Sequence, residues 1–182
     1  MKPSRLFMAG AAAAAIATGG AVYAVQRHDD APSPVLAQFT DQGVTVTLKV
    51  TDRSGPHMAI EATFAPQRPG FHLYSVDLPA DGIDGVGRPT KVTAQGALRA
   101  AGPLTARVKT LMMPLTGTDL TLPVYPDGPV TTDLHVGDTG NDTGDGSATL
   151  LVSYAACSPT TCLQPVINHR VDLKVTASGV TS

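Results

Sequence analysis

The chain's two cysteines, Cys157 and Cys162, sit in the stretch VSYAACSPTTCLQP (residues 152–165) with four residues between them. Thiols at this spacing suit three chemistries: a structural cross-link, half of a metal site, or reversible thiol–disulfide exchange. A cross-link closing about six residues restrains the unfolded chain by only roughly 2 kcal/mol, because loop-closure entropy grows with loop length. A chain of 182 residues can also bury a core without staples. For a metal, the pair supplies half of a zinc site and the chain has no second pair. His57, His72, His135 and His169 are scattered along the sequence, and each reads as a polar position on a strand face. Met58, Met112 and Met113 with the thiols would suit copper(I), although core packing is the commoner use of Met. No metal and no cofactor is expected. For exchange, a loop between two strands is where a partner's thiolate reaches a sulfur, and Pro159 and Pro165 restrict the backbone around the pair.

The elements that position the pair are strands. GVTVTLKV (43–50) alternates Val44, Val46, Leu48 and Val50 against Thr45, Thr47 and Lys49, the period of a half-buried strand. HMAIEATFA (57–65), FHLYSVDL (71–78) and TKVTAQ (90–95) continue the pattern, separated by turns at SGP (54–56) and PQRPG (66–70) and a Gly- and Asp-rich loop at 79–89. A further strand is predicted near 106–113, and two short ones over 120–136, broken by YPDGP. SATLLVSYAA (147–156) and PVINHRVDLKVT (165–176) flank the cysteines and should form an antiparallel hairpin. No long stretch has helical periodicity. The fold class predicted is all-β, an immunoglobulin-like β-sandwich. The Cys…Trp…Cys pattern of a true immunoglobulin domain is absent, since the chain has no Trp.

Composition narrows the function. A net charge of −2 gives no reason to expect a nucleic-acid partner. No hydrolase or phosphate-loop motif is present, and the acidic stretch with Asp138, Asp142 and Asp145 matches no calcium-loop spacing. Residues 1–25 read as a signal peptide or an N-terminal membrane anchor: Lys2 and Arg5 precede an uncharged run over 6–25. Either way the rest of the chain is expected outside the cytoplasm, where disulfides persist, and any membrane contact is through that segment. Residues 26–37 read as a linker, and 38–178 as the folded domain.

GFHLYSVDLP (70–79), LPVYPDGPV (122–130) and LLVSYAACSPTTCLQPVINHRVDLKV (150–175) resemble the N-terminal domain of the DsbD family of bacterial thiol:disulfide interchange proteins. The segment around the cysteines, with Tyr154 before them and Pro165 after, is the most specific part. The resemblance implies an immunoglobulin-like sandwich with a Cys157–Cys162 redox disulfide. It implies partners of the thioredoxin fold or a DsbD-type membrane reductase, with reducing equivalents passed to oxidised proteins. It also implies that Cys162 forms the mixed disulfide and Cys157 resolves it, and that Tyr74 lies beside the pair. His72 is two residues away on the same face; if protonated and close, it would stabilise a departing thiolate. Relatives cap the disulfide with an aromatic loop. The corresponding stretch here, RAAGPLTAR (99–107), has no aromatic, so no cap is assigned. The alternatives are a non-catalytic docking domain whose disulfide only clips a hairpin, and a periplasmic metal-handling protein.

Overall fold

The alternating stretch at 44–51 is fully realised: Val44, Val46 and Leu48 have no exposed surface and Val50 has 1%, while the Thr and Lys residues between them face outward. In a computed structural model, which describes residues 33–51, 58–115, 117–138 and 146–182, this strand is the second of fourteen. The strands are β1 (Val35–Asp41), β2 (Val44–Thr51), β3 (Ala59–Pro66), β4 (His72–Leu73), β5 (Lys91–Gly96), β6 (Leu98–Ala100) and β7 (Thr105–Ala106). They continue with β8 (Leu111–Pro114), β9 (Thr121–Val124), β10 (Val130–Asp138), β11 (Gly146–Tyr154), β12 (Ala156–Cys157), β13 (Val166–Thr176) and β14 (Gly179–Thr181).

They form two antiparallel sheets around one core. One runs β1-β2-β3-β10-β6, with β7 also on β10; the other runs β14-β13-β11-β5. The two inner faces share a continuous apolar cluster. Phe64 of β3 meets Tyr154 of β11 edge to face, ring centroids 5.5 Å apart, at its centre. Fully burying each Val, Leu or Phe of this layer is worth about 1.5–3 kcal/mol. The fold is the all-β, immunoglobulin-like sandwich that the sequence predicted. No helix among the described residues is long and apolar enough to cross a membrane. The segment read as a signal peptide or anchor (1–25) lies outside the described residues.

Two boundaries differ from the sequence reading. The stretch taken as linker ends early: β1 begins at Val35, and Leu36 is buried. A two-residue turn, Gln42 (φ 44°) and Gly43 (φ 69°), returns the chain into β2 with Asp41 opposite Val44. Two successive positive φ values give the twist that suits a tight hairpin. At the other end β14 carries the domain to Thr181, past 178, by pairing Val180 with Val175.

A small third ribbon lies against this frame. β12 pairs with β4, placing Ala156 opposite Leu73 and Cys157 opposite His72. Tyr74, the next residue of β4's chain, bridges to Val124 of β9, and β9 pairs with β8. The cysteine segment is thus tied through β4 to the β8–β9 hairpin. The predicted strand at 71–78 stops at Leu73 because the Ser75 side chain takes the Asp77 amide and the chain turns.

Candidate functional site

The predicted β11–β13 hairpin is present, but its last paired residues are Tyr154 and Val166. Between them the chain leaves the sheet. Cys157 is held in the β12–β4 ladder, and Ser158 to Thr161 form a tight turn in which the Ser158 amide donates to the Thr161 carbonyl at 2.7 Å. The turn brings Cys162 back to a disulfide with Cys157, with Cα atoms 4.0 Å apart.

The two sulfurs are not equivalent. Cys157 is buried, 4% exposed, within a satellite apolar cluster that includes Tyr74, Leu78, Leu122 and Val124. Cys162 is exposed on the far side of the turn. Cys162 is therefore the more accessible of the two to a molecule approaching from solvent.

Tyr74 lies beside Cys157, in a contact that the sequence does not reveal. Its hydroxyl is 3.1 Å from Cys157 Sγ. Burial pushes the Tyr74 hydroxyl above its ordinary pKa, so it stays protonated at neutral pH and can donate to the sulfur. Gly87, at φ 82°, lets the 79–89 loop lie against this ring: a Cβ there would sit 3.0 Å from a Tyr74 ring carbon. The buried Thr90 hydroxyl donates to the Tyr74 carbonyl at 2.7 Å, fixing the backbone beneath the ring.

His72 is beside the pair and buried. It is 3% exposed, directly opposite Cys157 in the ladder, with its ring edge to face on Tyr74. Burial lowers its pKa, and the Asp127 carboxylate, 3.7 Å from Nδ1, offsets only part of that effect. His72 is therefore neutral beside the disulfide and carries no standing charge for the thiolate. Its Nε2 is buried and has no hydrogen-bond partner among the described residues.

Tyr154 is not at the pair. It ends β11 with its ring in the main core and its hydroxyl donating to the Asp41 carbonyl at 2.8 Å. Cys157 is three residues on, in a segment that has already crossed to β4, so nearness in sequence is not nearness in space. Pro165 is exposed and borders a shallow hollow with Cys162, Leu163, Tyr74 and Arg88.

The 99–107 stretch lines a different groove, through Ala100, Gly102, Pro103 and Leu104. The β8–β9 hairpin borders the pair instead: Met113, Pro114 and Leu115 line a cavity of about 100 Å³ shared with His72, Tyr74, Cys157 and Cys162. Met113 packs against the satellite cluster, whereas Met112 is 64% exposed. The sequence offered no sign of this border, because the contact depends on the Tyr74–Val124 bridge. Among the described residues, no three His, Cys, Asp or Glu side chains converge as metal ligands would.

A solved structure of the N-terminal domain of Neisseria meningitidis DsbD in its reduced form is similar to this chain at a TM-score of 0.45 and 14% identity, covering 76% of this chain and 89% of that one. No family model matches the chain, and comparison with curated proteins gives no match.

Proposed function

We propose that the protein is an extracytoplasmic thiol–disulfide exchange protein. It relays reducing equivalents through Cys157 and Cys162, between a partner of the thioredoxin fold or a membrane reductase and oxidised proteins. The observation that carries this reading is the unequal environment of the two sulfurs: Cys162 is open to solvent, and Cys157 is buried with the Tyr74 hydroxyl 3.1 Å from its sulfur. A staple needs no such asymmetry, whereas exchange does. One sulfur must be reachable, and the other must leave as a stabilised thiolate.

In the forward step, a partner thiolate attacks Cys162 Sγ in line with the disulfide. The new S–S bond joins partner and Cys162, the old bond breaks, and its electron pair goes to Cys157 Sγ, where the Tyr74 hydroxyl donates. A second partner thiolate then attacks the partner's own sulfur in the mixed disulfide. Cys162 is released as a thiol, and the partner leaves oxidised. Run in reverse, the same steps reduce an oxidised protein.

The Cys157→Ala variant tests the assignment. With only Cys162 left, it should accumulate a mixed disulfide with a thioredoxin-fold protein reduced to one cysteine and activated as an aromatic disulfide. Cys162→Ala should react at least tenfold more slowly, since Cys157 is enclosed. Equal reactivity, or reaction through Cys157 alone, would overturn the assignment.

A further inference from the structure

The buried imidazole opposite Cys157 has a chemistry that the exchange steps above leave unused. Three features meet there. His72 and Cys157 are cross-strand partners on one face of the β4–β12 ladder, a position where paired Cβ atoms lie about 4.5–5.5 Å apart. The Asp127 carboxylate faces Nδ1 at 3.7 Å, which favours the proton on Nδ1 and leaves the lone pair on Nε2. That Nε2 is buried and unpaired among the described residues, in a histidine that lines the same cavity as both sulfurs. An unmet buried acceptor costs free energy, and here that cost falls on the disulfide form, in which Cys157 has no proton to offer.

We propose, resting on the exchange reading above, that His72 is a positioning and proton-holding residue coupled to the redox state of the pair: when the disulfide is reduced, Nε2 takes up the proton that accompanies Cys157, and Asp127 orients the ring for it. The balance is simple. The partner dithiol gives up two electrons and two protons as it closes its own disulfide. One proton ends on Cys162, and the other is shared between His72 Nε2 and Cys157 Sγ, which also accepts from Tyr74. The reverse transfer returns that proton as the disulfide re-forms. The line Asp127–His72–Cys157 follows the logic of a nucleophile, its base and an orienting carboxylate.

The titratable and charged groups facing His72 are few. Tyr74 directly follows its own strand, Cys157 comes from β12, Cys162 from the turn after it, and Tyr125 and Asp127 from the segment after β9. The β8–β9 hairpin contributes Met113, Pro114 and Val124, which do not titrate. In the disulfide form burial holds the His72 pKa down. A thiolate arriving opposite it pulls that pKa up.

The test is the titration of the His72 Cε1 proton by NMR in the disulfide and dithiol forms of the whole protein, assigned by its loss in His72→Gln. The proposal predicts at least a tenfold higher proton affinity in the dithiol form. It also predicts an inflection in the pH dependence of the reduction potential between the two pKa values, absent in His72→Gln. A tenfold change corresponds to about 30 mV for a two-electron couple. Asp127→Asn changes a largely exposed carboxylate, so the fold should survive, and it should shrink the redox-linked difference at least threefold. A histidine that only packs would titrate identically in both forms, and that result would overturn the proposal. Failure of the exchange reading is separate: it would appear as loss of the Cys162 adduct, whatever His72 does.

Discussion

Replacing Tyr74 by Phe removes one oxygen atom and leaves the ring in its cluster. The lost contact is the 3.1 Å approach of the hydroxyl to Cys157 Sγ. A hydrogen bond to a charged acceptor is worth about 1.5–3 kcal/mol, or about one to two pKa units on the Cys157 thiolate at about 1.4 kcal/mol per unit. The charge on a leaving sulfur is about half developed in the transition state, so exchange should slow about threefold to tenfold. The dithiol form loses more than the disulfide form, so the reduction potential should fall by about 30–60 mV where Cys157 is ionised. Because burial keeps the Tyr74 hydroxyl protonated, the rate effect should be the same from pH 6 to pH 8. Thermal stability should change by only about 1 kcal/mol, since the sulfur is a weak acceptor and no strong polar group is stranded. Stopped-flow exchange with dithiothreitol and with a reduced thioredoxin-fold protein measures the rates. Rates within about twofold of the parent, with an unchanged potential, would refute the idea that Tyr74 stabilises the departing sulfur.

Other variants separate structure from chemistry. Tyr154→Phe strands the Asp41 carbonyl and should cost about 1–2 kcal/mol of stability in urea unfolding, with exchange rates unchanged. Cys157→Ser with Cys162→Ser should retain the fold by circular dichroism and lose only about 2 kcal/mol, the entropy of a short loop. Gly87→Ala adds a Cβ against Tyr74 at positive φ; it should cost about 1 kcal/mol or more and also slow exchange by displacing the ring. Because burial depresses the His72 pKa in the fold, the unfolded chain binds that proton first as pH falls. Stability of the disulfide form should therefore be complete above the ordinary value of 6.5 and decline below it, and His72→Phe should flatten that decline in urea midpoints measured from pH 7 to pH 5.

Much of the sandwich was legible because period-two alternation survives wherever one strand face is buried, as at Val44 to Val50 and along β11 and β13. β1 was missed because Ala37 and Gln38 dilute its pattern, and because its turn is Gln-Gly rather than a stronger Asn-Gly or Asp-Gly signal. The cysteines and Tyr74 could be singled out from residue type and from resemblance. The hydroxyl contact between Tyr74 and Cys157 spans 83 residues and has no local trace. β4 and β12 are two residues each, too short to show a period, so no local pattern indicated that Cys157 would be drawn inward while Cys162 stayed outside. The same ladder explains His72. A histidine on an alternating strand reads as a polar outward position, but here both faces of the strand are covered and the ring is buried.

The central claim, that Cys157 and Cys162 exchange rather than staple, is tested most directly by the reduction potential of the purified domain. Equilibration against glutathione and dithiothreitol buffers, read by thiol trapping and mass, gives the value. The exchange account predicts a potential above about −300 mV, within reach of thioredoxin-fold partners. A potential well below about −300 mV, in the range of structural disulfides, would contradict it.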